Sequence, residues 1–173
     1  VPEYVRIMRV QRDIPTDVCV AGVDRTNLRQ YIHDKKVDCS CIRCRQAKEV
    51  GKELQLKVLS YDASGGKEFF ISYVSEKGLH GFCRLRFPSE SLCKELRCSA
   101  IVRELHVYGE PARIGQQGYF QHRGFGKALL AKAEYIAKKF KYPKLAVISG
   151  VGVRQYYRKL GYRKKGPYMV KSV

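Results

Sequence analysis

The chain has 173 residues, of which 45% are hydrophobic, and its 34 Lys and Arg outnumber its 16 Asp and Glu to give a formal net charge of +18. This length supports one good-sized domain with a real core, and the hydrophobic content argues against a disordered chain. The excess of positive charge predicts a polyanionic partner, with nucleic acid favoured over a basic surface that has no partner. Because no apolar run is long enough to span a bilayer and no signal peptide is recognisable, we expect no membrane association and a cytoplasmic location.

Residues 1–52 are expected to form a separate N-terminal segment, rich in Lys and Arg and with little hydrophobic periodicity. We predict a short strand within residues 5–10 and a short helix within residues 25–35. The chain begins at Val1 without an initiator Met, which suggests a fragment or a processed chain. The segment is interpreted as a linker or interface module attached to the main domain.

Three of the seven cysteines lie close together in this segment, as Cys39, Cys41 and Cys44. An odd number of cysteines, most of them scattered beside apolar residues, indicates a reducing compartment and not a disulfide framework. The tight spacing in a polar, basic setting predicts a zinc site, and a structural zinc normally has four ligands. Candidates for the fourth are His33 and Cys19, and three reduced structural cysteines without metal remain the alternative.

From residue 53 the apolar residues alternate with polar ones, which is typical of strands. Strands are predicted at residues 54–58, 69–74, 81–87 and 100–108, then a glycine-containing loop, a helix, a strand at 144–149, a short helix at 153–160 and a last strand at 162–170. A meander followed by strand–helix–strand units predicts an α+β fold, with a mixed and mostly antiparallel sheet flanked by helices.

The helix is preceded by a glycine turn with the spacing Gln121-x-x-Gly124-x-Gly126. Apolar residues then recur at helical spacing, at Phe125, Leu129, Ala133, Ile136 and Phe140. A glycine-rich turn that enters a helix leaves backbone N–H groups unpaired at a positive dipole end, so it is suited to bind an anion. The spacing fits neither the dinucleotide fingerprint nor the P-loop. A helix that is simply started by glycines is the plainer alternative.

This turn resembles that of GNAT-type acetyltransferases, in which it wraps the pyrophosphate of coenzyme A. Further stretches together resemble one family with a GNAT-type domain, that of the catalytic subunit of Elongator, which modifies tRNA. These stretches are Arg12–Pro15, Asn27–Arg29, Ile101–Gly109, Gln121–Gly126, Ala146–Arg154, Tyr156–Tyr162 and Gly166–Met169. They occur in the same order over nearly the whole chain.

The resemblance implies that a radical S-adenosylmethionine domain with a 4Fe-4S cluster precedes the acetyltransferase domain. The chain has no Cys-x-x-x-Cys-x-x-Cys triplet, so we expect that half to be missing here. Residues 1–52 would be the zinc-binding linker at its end, and residues 53–173 the GNAT-type domain. The intact enzyme would use acetyl-CoA to make a carboxymethyl-type modification at the wobble uridine of tRNA. Its partners would be tRNA, the radical S-adenosylmethionine domain, and a second copy or accessory subunits.

The resemblance also implies the residues of the site. Those expected to bind acetyl-CoA are Leu105, His106, Val107, Gln121, His122, Arg123, Gly124, Phe125, Gly126, Lys127 and Tyr156. Those expected to be catalytic are Glu104, His106, Tyr156 and Tyr157. One of the two tyrosines would donate a proton to the departing sulfur, and the sequence leaves open which one.

Simpler roles are also open for several of these residues. Lys127 could be a solvated lysine on the helix surface. Strict alternation would place Val102, Glu104, His106 and Tyr108 on one face of their strand, where Glu104 and His106 could act in proton transfer. Glu104 could instead pair with Arg103 or another cation.

Two other functions remain open beside the tRNA-modifying acetyltransferase. One is a protein lysine acetyltransferase of the same fold, which the strongly basic chain fits less well than it fits RNA. The other is a basic tRNA-binding module with a vestigial or regulatory acetyl-CoA site. The glycine-rich loop at residues 109–119 is a candidate gate for the acyl pocket.

Overall fold

The computed structural model describes residues 1–10, 15–22, 27–49, 51–91, 93–108 and 124–173. The chain divides into two compact units, Val1–Gln46 and Ala47–Val173. No helix among the described residues is long and apolar enough to cross a membrane.

The first unit contains one short helix, α1 (Leu28–Asp34), and a single 3-10 turn at Thr16–Val18 within the described residues. Helix α1 lies inside the stretch for which a helix is predicted. The strand predicted within residues 5–10 is not formed, and that prediction is wrong. The carbonyl groups of Ile7 and Met8 instead accept hydrogen bonds from the Arg29 and Arg43 side chains, so they are satisfied without a neighbouring strand.

The second unit is built on a seven-stranded sheet. Its strands are β1 (Gln55–Ala63), β2 (Gly66–Ser75), β3 (Gly78–Phe87), β4 (Ser99–Val107), β5 (Lys144–Val147), β6 (Arg163–Lys165) and β7 (Tyr168–Ser172). Their spatial order is β1-β2-β3-β4-β5-β7-β6, and every neighbouring pair is antiparallel except β4 and β5. The helices are α2 (Phe125–Lys139) and α3 (Arg154–Lys159), with 3-10 turns at Lys94–Leu96 and Val151–Val153. The predicted mixed, mostly antiparallel sheet is therefore present.

Helix α2 covers one face of the sheet with its apolar side chains. Leu129, Ala133 and Ile136 are buried at the predicted helical spacing and pack into a core with strand residues such as Ile71 and Leu85. The last residue of the predicted stripe, Phe140, is half exposed but keeps its ring against those of β2 and β3 aromatics. Burial of this stripe holds the start of α2 at a fixed place above the sheet.

The end of the chain forms a hairpin and not the single strand that the sequence analysis predicts at residues 162–170. Strands β6 and β7 pair antiparallel, with Lys165 opposite Tyr168. The reversal occurs at Gly166-Pro167, where Gly166 has a φ of +57°. Glycine adopts this left-handed conformation at little cost, and proline is suited to turns, so the pair breaks what reads as one strand.

Two buried tyrosines, Tyr157 and Tyr162, belong to the core below α2. Burial, together with the charges of Tyr156 and Cys83, raises the pKa of Tyr157 to about 12, and burial also raises the pKa of Tyr162. The Tyr162 hydroxyl donates to Glu134 of α2 at 2.8 Å, and Lys171 of β7 pairs with the same carboxylate at 2.9 Å. These contacts attach the C-terminal hairpin to the helix.

We therefore expect the domain to lose stability in alkaline solution. A group whose pKa is raised in the folded state is more easily deprotonated in the unfolded state. Its contribution to the free energy of unfolding is therefore complete below pH 10 and is lost as the pH rises towards 12. For Tyr157 the total loss is about 2 to 3 kcal/mol. Urea unfolding between pH 9 and 11.5 should show a steeper fall for the wild type than for Tyr157→Phe. Parallel curves would contradict this account.

Candidate functional site

Strand β4 leaves its neighbour β5 halfway along its length. The parallel pairing runs from Ser99 opposite Lys144 to Val102 opposite Val147, and Ile148 N donates to Val102 O at 3.0 Å just beyond it. Residues 103–107 of β4 then have no strand on that side among the described residues. Their outward-facing backbone N–H and C=O groups need other partners, so this opening could hold a ligand with amide groups.

A β-bulge in β4 lies where the opening begins. Glu104 pairs with Arg84 and Val102 pairs with Leu85, so Arg103 is an extra residue without an opposite partner. The bulge shifts the alternation, since Val102 packs in the same core cluster as Leu105 and not with Glu104. The prediction that Val102, Glu104 and His106 share one face is thus wrong for Val102.

The amino end of α2 lies beside the end of β4. Its N-cap is Gly124, with a φ of +76°, and no side chain caps the helix. The first intrahelical bond is that from Ala128 N to Gly124 O, so the N–H groups of the first turn have no partner within the helix. A Cβ at Gly126 would lie 3.2 Å from the Tyr156 hydroxyl oxygen and 3.6 Å from Cγ2 of Val107. Glycine at this position therefore lets the Tyr156 hydroxyl and Val107 approach the first turn of α2 closely.

The two adjacent tyrosines have different environments. Tyr156 is 40% exposed and directs its hydroxyl to the opening near Gly126, whereas Tyr157 is 6% exposed and packs in the core against Tyr162. Burial raises the pKa of Tyr156 above its ordinary value, so its hydroxyl stays protonated at neutral pH. Of the pair, Tyr156 is the one placed to donate a proton into the opening.

Glu104 and His106 lie on the sheet face opposite to Leu105 and Val107. Glu104 accepts a hydrogen bond from Arg84 Nε at 2.9 Å, so its carboxylate is held in an ion pair, the simpler of the two roles considered for it. The partner is Arg84 and not Arg103, which pairs with buried Glu68. His106 is exposed and packs its ring against Phe82, with centroids 5.3 Å apart.

Arg84 is a residue that the sequence analysis does not single out. Its guanidinium lies over the rings of Phe70 and Phe82 and also donates to the Tyr61 hydroxyl at 3.1 Å. The alternation of Arg84 and Arg86 with apolar residues was the available signal, because both arginines occupy one face of β3.

The remaining residues expected to bind acetyl-CoA fall into two groups. Leu105 and Val107 pack partly into the core, Phe125 is buried at the start of α2, and Lys127 is exposed on that helix. Gln121, His122 and Arg123 lie outside the described residues, as does the loop at residues 109–119.

In the first unit, the sulfur atoms of Cys39, Cys41 and Cys44 lie within 4.8 Å of one another, so this group could hold a metal ion. His33 Nε2 lies 3.4 Å from Cys44 Sγ. Cys19 is not in the cluster, and its thiol contacts Ala21 O at 3.3 Å. The geometry favours His33 over Cys19 as a fourth ligand.

Arg29 supplies positive charge to the cysteine cluster. Its Nη2 lies 3.0 Å from Cys44 Sγ and 3.7 Å from Cys41 Sγ. Burial acts to raise the pKa of Cys41, but hydrogen bonds from the Cys44 N–H, Arg29 and the Ile7 backbone outweigh it and lower that pKa to about 6. The pKa of Cys44 is raised, first by burial and then by its cysteine neighbours. The lowered pKa favours the thiolate of Cys41, which is the form that binds metal.

The sheet is mixed and mostly antiparallel, and its parallel pair, β4 and β5, separates beside the start of a helix. This arrangement defines a GNAT-like acyltransferase fold. A solved structure of Methanocaldococcus infernus Elp3 with an N-terminal deletion matches with a TM-score of 0.87 and 38% identity, over 100% of this chain and 45% of that one. No protein-family model matches the chain.

Sequence comparison with known proteins identifies the family to which the chain is related. The chain is 44% identical over 190 residues to a tRNA uridine(34) acetyltransferase of Dehalococcoides mccartyi, and 44% identical over 192 residues to human Elongator complex protein 3. These alignments cover 100% of this chain but 41% and 35% of the relatives, so the chain spans less than half of their length. The chain is homologous over its whole length to part of the tRNA uridine(34) acetyltransferase/Elongator complex protein 3 family. The predicted fold and the predicted resemblance to this family are confirmed.

Proposed function

We propose that residues 47–173 bind acetyl-CoA in the opening between β4 and β5 and form the acyl-transfer part of an enzyme that modifies uridine in tRNA. The observation that carries the proposal is the edge of β4 that β5 leaves unpaired beyond Val102, next to the start of α2, where Gly126 lies close to the Tyr156 hydroxyl and Val107. Family membership supports the same reaction class.

Each boundary of the opening has a chemical role in this proposal. The unpaired N–H groups at the start of α2 and the helix dipole would bind the negatively charged phosphates of the co-substrate. The free edge of β4 would bind its amide groups through backbone hydrogen bonds. Acetyl-CoA supplies the acyl group as a thioester, and the protonated Tyr156 hydroxyl would donate a proton to the departing sulfur. Glu104 and His106 would take part in proton transfer from the opposite face of the sheet, where the Glu104 carboxylate pairs with Arg84.

The whole modification requires more than this chain. From the resemblance described in the sequence analysis, we infer that the carboxymethyl-type product at the wobble uridine needs a radical S-adenosylmethionine domain with its 4Fe-4S cluster. Residues 47–173 alone would bind acetyl-CoA and hydrolyse it slowly. Isothermal titration of the chain with acetyl-CoA tests the proposal. One binding site that desulfo-CoA also occupies is expected, and the absence of binding would contradict the proposal.

We further propose that Cys39, Cys41 and Cys44 hold Zn²⁺ with His33 as the fourth ligand. Three sulfurs within 4.8 Å and an imidazole at 3.4 Å from one of them fit the donor set of a structural zinc site. The expected role is to stabilise the first unit, since a closed four-ligand site leaves no position for a substrate.

The zinc site makes a measurable prediction. Purified protein should contain one zinc per chain by elemental analysis, and Cys41→Ser should lose it together with the protease resistance of residues 1–46. Cys98→Ser is the matched control, because Cys98 is an exposed cysteine outside the cluster. A Cys41→Ser protein that retains stoichiometric zinc would contradict the site, and retention by His33→Ala would exclude His33 as an essential ligand.

A further inference from the structure

The positive charge of the chain is concentrated in its C-terminal part. Residues 135–173 contain eleven Lys and Arg and no Asp or Glu. This stretch begins in the second half of α2 and continues to the end of β7, so the described structure covers all of it. A run of this length without a compensating acid produces a strongly positive local potential.

One uncompensated part of this stretch is the edge strand β6. Its three residues, Arg163, Lys164 and Lys165, are all exposed, and no ion pair involves them within the described residues. Lys171, on the neighbouring strand, is instead engaged by Glu134. Because successive side chains of a strand point to opposite faces, the cations of β6 flank both sides of the sheet edge.

The shape of this edge suits an extended polyanion. Strand β6 and the facing part of β7 line an open groove at the end of the sheet. The described residues from 158 to 173 include no large hydrophobic side chain that is exposed. A docked protein would need apolar or aromatic side chains at the centre of its interface, and a bilayer surface would need apolar anchors. Cations without apolar neighbours match the phosphodiester backbone of a nucleic acid.

We propose that Arg163, Lys164 and Lys165 form a binding surface for the phosphate backbone of RNA. The inference rests on the proposed function, in which the substrate is a tRNA, and it assigns part of that substrate to a surface that no acyl-transfer residue occupies. Strand β6 is three strand positions from β4, which is about 14 Å at the usual strand spacing. One RNA chain can therefore contact β6 with its backbone while another nucleotide reaches the opening beside β4.

The test is the affinity of tRNA for a variant in which all three cations are neutralised, R163Q/K164Q/K165Q. The matched control is K138Q/K139Q/K141Q, which removes the same charge from the exposed end of α2 and the turn after it. Fluorescence anisotropy at several salt concentrations should show about a tenfold or greater loss of affinity for the β6 variant, with the slope of log K against log[salt] reduced by about 2 to 3. The control should lose less than about threefold.

Two further measurements separate this surface from the acyl site. Acetyl-CoA affinity and the thermal midpoint should be unchanged in the β6 variant, because β6 contributes no residue to the opening. Equal losses in both triple variants, or no loss in the β6 variant, would overturn the surface while leaving the proposed function intact. If the wild-type protein binds acetyl-CoA but fails to bind tRNA, the proposal that its substrate is RNA is contradicted. Competition by polyglutamate as strong as that by tRNA at equal charge would show an acidic-protein site and would also overturn the proposal.

Discussion

Replacing Gly126 by leucine should abolish acetyl-CoA binding while the domain remains folded. A Cβ at this position already lies 3.2 Å from the Tyr156 hydroxyl oxygen, so the larger side chain would occupy the opening that the co-substrate needs. We expect the affinity to fall by more than about 100-fold, which corresponds to at least about 2.7 kcal/mol of binding free energy. Isothermal titration with acetyl-CoA measures the loss directly.

A second leucine substitution on the same helix provides the control. Ala131 is exposed on α2, so Ala131→Leu adds the same side chain away from the opening and should bind acetyl-CoA like the wild type. Both variants should keep their thermal midpoints within a few degrees. Tight binding by a folded Gly126→Leu protein would place the co-substrate elsewhere and would contradict the proposed site.

Replacing Tyr156 by phenylalanine should reduce acyl turnover much more than binding. The variant loses only the hydroxyl at the opening, which is the group proposed to protonate the departing sulfur. General acid catalysis of this kind contributes about 10²- to 10⁴-fold, so we expect kcat to fall by at least about 10²-fold. Release of free thiol from acetyl-CoA gives kcat, and titration of the same variant should give a nearly unchanged Kd.

Tyr157→Phe is the matched control for this prediction. Tyr157 packs in the core against Tyr162, so its substitution should change stability more than turnover. The pH profile provides a second readout, because the raised pKa of Tyr156 keeps the acid form present above the ordinary range of tyrosine. A larger loss of kcat in Tyr157→Phe than in Tyr156→Phe would reverse the assignment.

The order of strands and helices in residues 53–173 is largely readable from the sequence, because it follows the two simplest periodicities. Strands β1 to β4 show alternation, and α2 shows the stripe from Phe125 to Ile136. The structure of the end of the chain was harder to predict from the sequence. The basic residues Arg163 to Lys165 give no apolar pattern, and the strand is interrupted at a single position, Gly166. The division between β6 and β7 depends on a turn conformation that local composition only suggests.

The candidate site was also only partly predictable from the sequence. Motif spacing brings Gly126 to attention and the family resemblance brings the tyrosine pair. Neither can distinguish Tyr156 from Tyr157, because adjacent helical residues differ only in the direction of their side chains. The bulge at Arg103 is also invisible to a strict period of two, and it decides which residues of β4 share a face. Arg84 escaped notice because its role depends on contacts with Glu104 of β4 and Phe70 of β2, which lie on the two neighbouring strands.

The cysteine cluster illustrates what geometry adds to a motif. The spacing of Cys39, Cys41 and Cys44 is sufficient to predict that their sulfur atoms converge. Spacing cannot choose between His33 and Cys19 as the fourth ligand, because both lie outside the run from Cys39 to Cys44. His33 of α1 lies beside Cys44, whereas Cys19 lies outside the cysteine cluster. This difference is determined by the folding of the first unit and cannot be read from spacing.

Thiol release from acetyl-CoA, measured with and without tRNA, tests whether the acetyl-CoA site of this chain serves an RNA substrate. We expect slow release that tRNA accelerates and that Gly126→Leu abolishes under both conditions. A rate that tRNA leaves unchanged would contradict the link to RNA. Equal release by the wild type and Gly126→Leu, or no release under either condition, would contradict the acyl-transfer site itself.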